Sequence, residues 1–455
     1  MLRFLALVLL STLLQGVALT CFAAEWKAGT GREVITPPHS MPMAGYASRG
    51  ASHATGKLQD LWAKSLMLED AAGNRCVLVT LDLCGIDAIL ADRVCLQLKQ
   101  SFGLQRNQIM LATSHTHSGP VVAGNLRPMH YMMFSEADRS LVDEYASLLV
   151  DKIRSTVEQA IRDLQLSELS YGEGNESFAV NRRTNIEKDV PELRAAGKLA
   201  GPSDHSVPVL LVKRAGQPIA VMFGYACHCT TLSGMDWSGD YAGFAQAEIE
   251  KDLPGCTAMF WAGCGADQNP LPRRTVELAT EYGHRLATAV RKAMSSDLKS
   301  IEPQLQTEFK LIPVPFGPMP TRAQIEQDRK SDNQYVSARA QSLLQTLDAG
   351  AELPSTYDYP VAVWHLGQSL DWVALGGEVV VDYAIAIKTL PAAKRTTWVT
   401  AYANDVMAYI PSRRVLMEGG YEGGGAMVYY GLPTVWAPEI EPMILDEVSR
   451  QLAKP

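Results

Sequence analysis

The chain has 455 residues, of which 47% are hydrophobic and 20% charged. This balance is typical of a globular protein with a substantial core. The net charge of −8 excludes the broad basic surface that captures nucleic acid or an anionic membrane.

The first 24 residues have the pattern of a signal peptide. Arg3 precedes an apolar run, Phe4 to Val17, and small residues end at Ala24 just before the polar Glu25. A charged start, an apolar centre and a small-residue end are typical of cleaved export signals. The run is shorter than the roughly 20 residues of a membrane-spanning helix. We therefore expect residues 1–24 to be removed, the protein to be periplasmic or secreted, and no stable membrane span to remain.

Strand patterns and helix patterns alternate along the rest of the chain. Short apolar runs predict strands over Ser65–Met67, Val77–Asp82, Ile109–Ser114, Val207–Val212, Ile219–Ala226 and Ala258–Trp261. Apolar residues at helical spacing predict helices over Ile86–Phe102, Glu136–Leu164, Tyr241–Asp252, Thr275–Ser295 and Thr321–Leu347. This alternation predicts an α/β fold with sheets covered by helices. No repeat or linker divides residues 25–455, so one domain is expected.

Seven cysteines remain once the signal segment is excluded. The number is odd and small, which argues against a disulfide-rich scaffold. One or two bridges are compatible with export, and Cys256 and Cys264 are the candidate pair. There is no Cys-x-x-Cys pair, so a thiolate zinc site is not expected.

The strongest local signal is the run from Ser114 to Pro120, which contains His115 and His117 and directly follows a predicted strand. Histidines two residues apart at a strand end project to one side. One can then bind a metal while the other faces a reacting group. Paired histidines are often only structural, but the position at a strand end favours a functional site.

A second signal is His228, which also lies where a predicted strand ends in a loop. Shortly after it, Asp240 occupies the place where a helix N-cap is wanted. We expect Asp240 to cap the helix and orient the site rather than to bind a metal directly.

Ordered motifs along the chain resemble the neutral, non-lysosomal ceramidase family over almost the whole mature length. They occur in the order of that family and comprise Gly31–Pro37 with Met43–Tyr46, His115–Pro120, Asn181–Arg183, His228 with its threonines, Gly263–Pro270, Gly377–Glu378 and Asn404–Tyr421. The resemblance implies a catalytic domain of packed β-sheets flanked by α-helices. It also leads us to expect no C-terminal β-sandwich domain, because the chain stops soon after the catalytic module.

The resemblance implies a catalytic zinc site. His115 and His228 would supply nitrogen ligands, Glu378 a carboxylate and Tyr409 a phenol or phenolate oxygen. One position left open for water is what a catalytic zinc requires. Without the resemblance, Glu378 would be interpreted as a carboxylate at a helix start.

The same resemblance assigns roles around the metal. His117 would move protons, and Tyr421 would donate to the substrate carbonyl, since it lies twelve residues after Tyr409 as in the family. Arg182 would either bind a substrate oxygen or form a surface salt bridge.

The chain departs from the family in the loop Gly263–Pro270. The family has an essential serine where this chain has Gln268. An amide is no nucleophile, but it can still donate or accept hydrogen bonds at an oxyanion. Water activated by a metal needs no serine, so hydrolysis remains the expected activity.

The sequence therefore predicts a zinc-dependent hydrolase of an amide (N-acyl) bond in a small-molecule or lipid substrate. Two alternatives remain open: an esterase or deacetylase acting on a glycan or small lipid with the same site, and a non-catalytic module that binds lipid or sugar. Because Gln268 narrows the site, we expect weak activity on long-chain ceramide and better activity on a smaller or more polar amide.

Overall fold

A computed structural model describes residues 25–454. The predicted signal peptide, residues 1–24, lies outside the described residues. Among the helices of residues 25–454, none combines the length and the apolar character required to cross a membrane.

The strands alternate with helices along the described chain. In chain order the strands are β1 (Trp26–Val34), β2 (Gly56–Lys57), β3 (Trp62–Glu69), β4 (Arg75–Leu81), β5 (Ile109–Thr113), β6 (Gln165–Asn175), β7 (Ala179–Asn181), β8 (Ser206–Arg214), β9 (Gln217–Tyr225), β10 (Asp236–Trp237), β11 (Thr257–Ala262), β12 (Gln268–Pro270), β13 (Lys299–Ser300), β14 (Leu305–Pro315), β15 (Thr356–Leu366), β16 (Leu370–Leu375), β17 (Glu378–Val379), β18 (Thr396–Thr400) and β19 (Tyr409–Ile410).

The helices vary from one turn to more than seven. They are α1 (Ala88–Phe102), α2 (Glu136–Arg162), α3 (Val190–Ala195), α4 (Asp240–Asp252), α5 (Val276–Met294), α6 (Arg322–Asp328), α7 (Gln334–Asp348), α8 (Val381–Lys388), α9 (Arg413–Glu418), α10 (Met427–Tyr430) and α11 (Ile440–Leu452). A π-helical turn, Tyr421–Gly425, lies in the glycine-rich segment between α9 and α10.

Two main sheets form the centre of the molecule. The larger has the order β11-β9-β8-β6-β1-β3-β4-β5, with β13 paired to β6. Most of its pairs are antiparallel, but β4 pairs with β5 and β11 with β9 in parallel. The smaller sheet has the order β14-β15-β16-β18, and its β16 and β18 are parallel. Parallel neighbours require crossover connections, and α1, α4 and α8 provide them.

The sheets pack face to face with helices on both outer faces. Leu66, Leu78 and Met222 of the larger sheet share a buried core with Trp364 and Trp372 of the smaller sheet. Helices α1, α2, α4 and α5 cover the other face of the larger sheet, and α8 and α11 cover the smaller one. Strands buried on both faces are continuously apolar, as β4 is. The predicted α/β fold of packed sheets flanked by helices is confirmed.

The predicted helices and strands agree with the structure except in one segment. The segment Thr321–Leu347 forms two helices rather than one, because Asn333 accepts hydrogen bonds from the backbone of Tyr335 and Val336 and starts a new helix.

The two sheets are joined at one end by residues 401–408, which we name the 401–408 loop. Ala403 forms an antiparallel bridge with Ala112 of β5. Asn404 N donates to Leu111 O at 2.7 Å, and Ala401 N donates to Ala262 O at 2.9 Å. This loop therefore holds the ends of β5, β11 and β16 in fixed relation.

Candidate metal centre and active site

The polar residues predicted for the site follow the ends of strands from both sheets. His115 and His117 come directly after β5, His228 comes after β9, and Glu378 follows β16 and two glycines. Tyr409 enters through the short parallel pair of β17 and β19, in which it lies opposite Glu378. Stacking of the two sheets thus brings together residues that are far apart in the sequence.

Four predicted metal ligands converge on one point. The Nε2 atoms of His115 and His228 lie 3.2 and 3.1 Å from the same carboxylate oxygen, Glu378 Oε2. The Tyr409 hydroxyl lies 3.3 Å from His228 Nε2. All four side chains are buried. His115, His228 and Glu378 form a group whose ligand atoms could hold a metal ion.

The donor atoms at this point are suited to a cation. His115 Nδ1 contacts the Cys84 carbonyl at 2.6 Å, and His228 Nδ1 contacts the Gly265 carbonyl at 2.8 Å. A carbonyl only accepts, so each Nδ1 carries the hydrogen and each Nε2 presents a lone pair. Glu378 Oε2 receives no hydrogen bond from the described residues. Three acceptors facing one another repel unless a positive charge lies between them, so the residues fit a metal ion.

The electrostatics agree with this arrangement. Burial raises the pKa of the Glu378 carboxyl, but the neighbouring His115 and His228 outweigh it and hold that pKa well below its usual range. Burial and the Arg182 guanidinium lower the pKa of His228 to about 4. Burial opposes protonation of His115, yet Glu378 raises its pKa to about 10. The ionised carboxylate thus attracts positive charge, which a metal would supply in place of the proton.

His117 faces the same point as the other two histidines. Its Nε2 lies 3.0 Å from His115 Nε2, and its ring packs edge-on against Tyr46 at a centroid distance of 4.8 Å. A Cβ on Gly45 would lie 2.4 Å from the His117 ring, so the ring rests directly on that glycine. Burial, with His115 and His228, holds the pKa of His117 well below its usual value. A neutral imidazole is therefore placed beside the candidate ligands.

Two tyrosines that sequence reasoning missed complete the site. The Tyr430 hydroxyl donates a short hydrogen bond to Glu378 Oε1, the carboxylate oxygen turned away from the histidines. The Tyr402 ring stacks on His115 with centroids 4.3 Å apart. Neither tyrosine belongs to a motif quoted from the sequence as functional, although Tyr430 closely follows the glycine-rich π-helical turn Tyr421–Gly425.

The backbone around the site is strained. His115, Tyr402 and Asn404 have φ angles of 59, 53 and 66°, in the left-handed region that side chains disfavour. Each such residue costs roughly 1–3 kcal/mol and persists only where surrounding contacts impose it. Three of them cluster beside the convergent ligands, at the end of the sheets that carries the candidate site.

Arg182 joins the candidate ligands to the surface. Its Nη2 donates to the Tyr409 hydroxyl at 3.1 Å and its Nη1 to Asn269 Oδ1 at 3.2 Å. Its Nε donates to Glu422 at 2.7 Å. The contact is therefore more than a surface salt bridge, because the same guanidinium touches a candidate metal ligand. Glu422 was not identified from the sequence.

Tyr421 lies at the opening of the site. Its side chain is 47% exposed. Its ring packs edge-on against Tyr409, with centroids 5.2 Å apart, and the Arg182 guanidinium lies 5.8 Å from the ring centre. The hydroxyl has no hydrogen-bond partner among residues 25–454, so it can meet a ligand.

Gln268 is close to the site in the fold but points its amide elsewhere. Its Nε2 donates to the Ala226 carbonyl at 2.6 Å, and its Oε1 accepts from Asp204 N at 3.3 Å. Its own carbonyl accepts from His228 N at 3.0 Å. The side chain is thus occupied by backbone groups, and Gln268 supports the loop that carries His228. The sequence-based expectation that this amide contacts an oxyanion differs from its position in the structure, where both amide atoms bond to the backbone.

Asp240 lies at the first residue of α4, next to the N-cap Gly239. Its carboxylate accepts from the backbone of Leu232 at 2.8 Å and of Tyr241. The Leu232 contact holds the loop that follows His228. The expected orienting role agrees with these contacts, while the cap itself is one residue earlier.

The candidate disulfide between Cys256 and Cys264 is not formed. The seven described cysteines are all buried and free. Cys84 Sγ lies 3.8 Å from His115 Nδ1, but that nitrogen already contacts the Cys84 carbonyl. Cys84, His115 and His117 form a second group whose ligand atoms could hold a metal ion. The thiol faces Nδ1 of His115, however, whereas the Nε2 of that ring faces Glu378.

Comparison with known proteins identifies a family. Residues 26–265, more than half of the chain, match the family described as neutral/alkaline non-lysosomal ceramidase, N-terminal. A neutral ceramidase of Pseudomonas aeruginosa is 28% identical over 253 residues, which cover 54% of this chain and 37% of that protein. Neutral ceramidase A of Dictyostelium discoideum is 25% identical over 52% of this chain and 33% of its own length. The matched region thus spans about a third of these relatives.

Solved structures extend the likeness of the fold to nearly the whole chain. A ceramidase complexed with C2 superposes with a TM-score of 0.74, covering 94% of this chain and 75% of that one at 20% identity. The crystal structure of neutral ceramidase from Pseudomonas aeruginosa gives a TM-score of 0.73 at the same identity, covering 94% and 74% of the two chains. The fold is shared, and the residues matched by the family include His115, His117 and His228. This chain belongs to the neutral/alkaline non-lysosomal ceramidase family.

Proposed function

We propose that this protein is a zinc-dependent hydrolase of amide (N-acyl) bonds. The observation that carries the proposal is the convergence of two imidazole nitrogens on Glu378 Oε2, within 3.2 Å, with the Tyr409 hydroxyl beside them. Two nitrogen and two oxygen donors are a ligand set of catalytic zinc. The names of the relatives, all neutral ceramidases, support an amide substrate.

The residues around this centre would have different roles in catalysis. His115, His228, Glu378 and Tyr409 would hold the ion. Bound zinc would act as a Lewis acid and make water nucleophilic near neutral pH. His117, beside the ligands, would accept the proton of the attacking water and return it to the leaving nitrogen.

The polar groups at the opening would receive the substrate. The Tyr421 hydroxyl would donate to the oxygen of the scissile carbonyl as negative charge develops there. Arg182 would hold Tyr409 in place through its 3.1 Å hydrogen bond and limit where the carbonyl can lie. Hydrolysis then breaks the C–N bond, with the water oxygen joining the acyl carbon and the amine leaving with a proton.

Export is part of the proposal. It is supported by the charged start, apolar run and small residues of positions 1–24. Sequencing the N-terminus of protein from native cells should find Glu25 or a neighbour at the start, and an intact Met1 would contradict export.

The test combines metal analysis with a substrate panel. We expect about one zinc per chain and amidase turnover that a chelator abolishes and zinc restores. His115→Ala and His228→Ala should lose the metal, because each removes a ligand. His117→Ala should keep zinc while turnover falls roughly 10²- to 10⁴-fold.

The panel contains a fluorescent ceramide, short N-acyl amides and matched esters under identical zinc and detergent conditions. Full zinc occupancy in both ligand variants would place the metal elsewhere. Ester turnover far above that of every amide would favour the esterase alternative, and ceramide turnover above that of every short amide would refute the expectation of a smaller substrate.

A further inference from the structure

A cavity opens next to the candidate catalytic centre. Its volume is about 580 Å³, within the range of small-molecule sites. Arg182, Tyr421, Arg273 and Glu187 are among the residues that line it. Since Arg182 also contacts Tyr409, the cavity begins one residue away from the convergent ligands.

Three carboxylates line this cavity, and protein groups already bind all of them. Glu418 accepts from Arg183 and Arg414, each at 3.0 Å. Both oxygens of Glu187 accept from Arg273 at 2.8 to 3.2 Å. The two oxygens of Glu422 accept from Arg182 and Arg183, each at 2.7 Å. These acceptors therefore offer little to a ligand.

The guanidinium groups retain N–H donors that have no acceptor within residues 25–454. Arg273 uses Nε and Nη2 for Glu187, and its Nη1 bonds to no other residue in the range 25–454. The Arg182 Nη1 and Nη2 each have one protein acceptor, although each carries two hydrogens. The cavity thus offers hydrogen-bond donors that have no protein acceptor within residues 25–454. Such donors suit a ligand that carries only hydrogen-bond acceptors.

A carboxylate matches these free donors, because it can receive two parallel hydrogen bonds from one guanidinium.

We propose that this cavity binds the carboxylate of an N-acyl amino acid and that such compounds are the substrate class. The inference rests on the proposed amidase function and adds the identity of the amine half. Arg273 binds the carboxylate while the amide carbonyl lies at Tyr421. Hydrolysis joins water oxygen to the acyl carbon, breaks the C–N bond and releases a carboxylic acid and the free amino acid.

The test compares an N-acyl amino acid with its primary amide, which has nearly the same shape without the charge. For the zinc-loaded protein we expect KM for the acid to be roughly 10- to 100-fold lower than for the amide, as an Arg–carboxylate contact provides. Arg273→Ala should abolish this difference by raising KM for the acid, with kcat little changed. Arg291→Ala, which removes an ion pair with Asp252 away from the cavity, is the matched control.

The outcomes separate this inference from the proposed function. Absence of turnover on every amide, with zinc bound, would refute the amidase itself. Turnover of the primary amide, an N-acyl amino sugar or ceramide as efficiently as the acid would refute only carboxylate recognition. The wild-type comparison alone decides this if Arg273→Ala fails to fold.

Discussion

The two oxygens of Glu378 have different partners. Oε2 faces His115 and His228, whereas Oε1 accepts the hydrogen bond of the Tyr430 hydroxyl. A hydrogen bond to the outer oxygen of a ligating carboxylate fixes its rotation and its basicity. Tyr430 is therefore a positioning residue for the proposed metal site rather than a ligand.

Tyr430→Phe should weaken zinc binding or turnover by about 10- to 100-fold, as losses of such outer contacts do. Competition with a coloured chelator measures the affinity. Tyr429→Phe is the control, since that neighbouring ring packs on Tyr335 and has no hydrogen bond to Glu378. Equal zinc affinity and turnover in the Tyr430→Phe and Tyr429→Phe variants would contradict the positioning role.

At the scale of elements, the connection from β16 to β17 determines where Glu378 lies relative to the two histidines. Gly377 has a φ of 76°, and its N–H donates to Asp405 O in the 401–408 loop at 2.7 Å. A Cβ there would lie 2.6 Å from the Ile410 side chain and 2.8 Å from Ala408 O. The glycine is thus required both by conformation and by the closeness of the neighbouring backbone.

Gly377→Ala should lower the stability to unfolding by more than the roughly 1–3 kcal/mol expected for a strained backbone angle alone. It should also reduce zinc occupancy, because Glu378 must shift. Gly350→Ala separates the two causes: its φ is 79°, but nothing lies within 4 Å of the added Cβ. Urea unfolding and metal analysis of both variants test this, and equal losses would show that the close contact has no consequence.

At the scale of the whole molecule, stability includes the cost of ionising a buried carboxyl. Burial raises the pKa of Asp405 from 3.8 to about 7, although the Tyr357 hydroxyl donates to it at 2.6 Å. A raised pKa means that the folded state holds the proton more tightly than the unfolded state does. The contribution of Asp405 to the stability of the fold is therefore greatest below pH 4. It is lost as the pH rises from about 4 to 7.

The stability of Asp405→Asn relative to wild type should rise over that window, by roughly 4 kcal/mol between pH 4 and pH 8. The amide oxygen can still accept from Tyr357, so the hydrogen bond remains. Urea unfolding of both proteins at pH 4.5 and pH 8 measures the difference. A difference that does not change with pH would contradict the assigned ionisation.

Local sequence carried enough information for many elements and for part of the site. The apolar runs within β4 and β9 are buried on both faces, so their apolar continuity identified them. His115 and His117 were recognisable because a strand ended directly before them. Glu378, Tyr409 and Tyr421 were named only through the resemblance to the family, because nothing in their own neighbourhoods distinguishes a ligand from a buried polar residue.

Only the tertiary structure decided which distant residues meet. Stacking of the two sheets, locked by the 401–408 loop, places Glu378 against His115 across more than 260 positions of sequence, and no local pattern encodes that contact. The same packing turns the Gln268 amide toward Ala226, supplies Tyr430 to Glu378 and forms the cavity between Arg182 and Arg273. Side-chain direction depends on the neighbours that burial imposes, and those neighbours come from other elements of the fold.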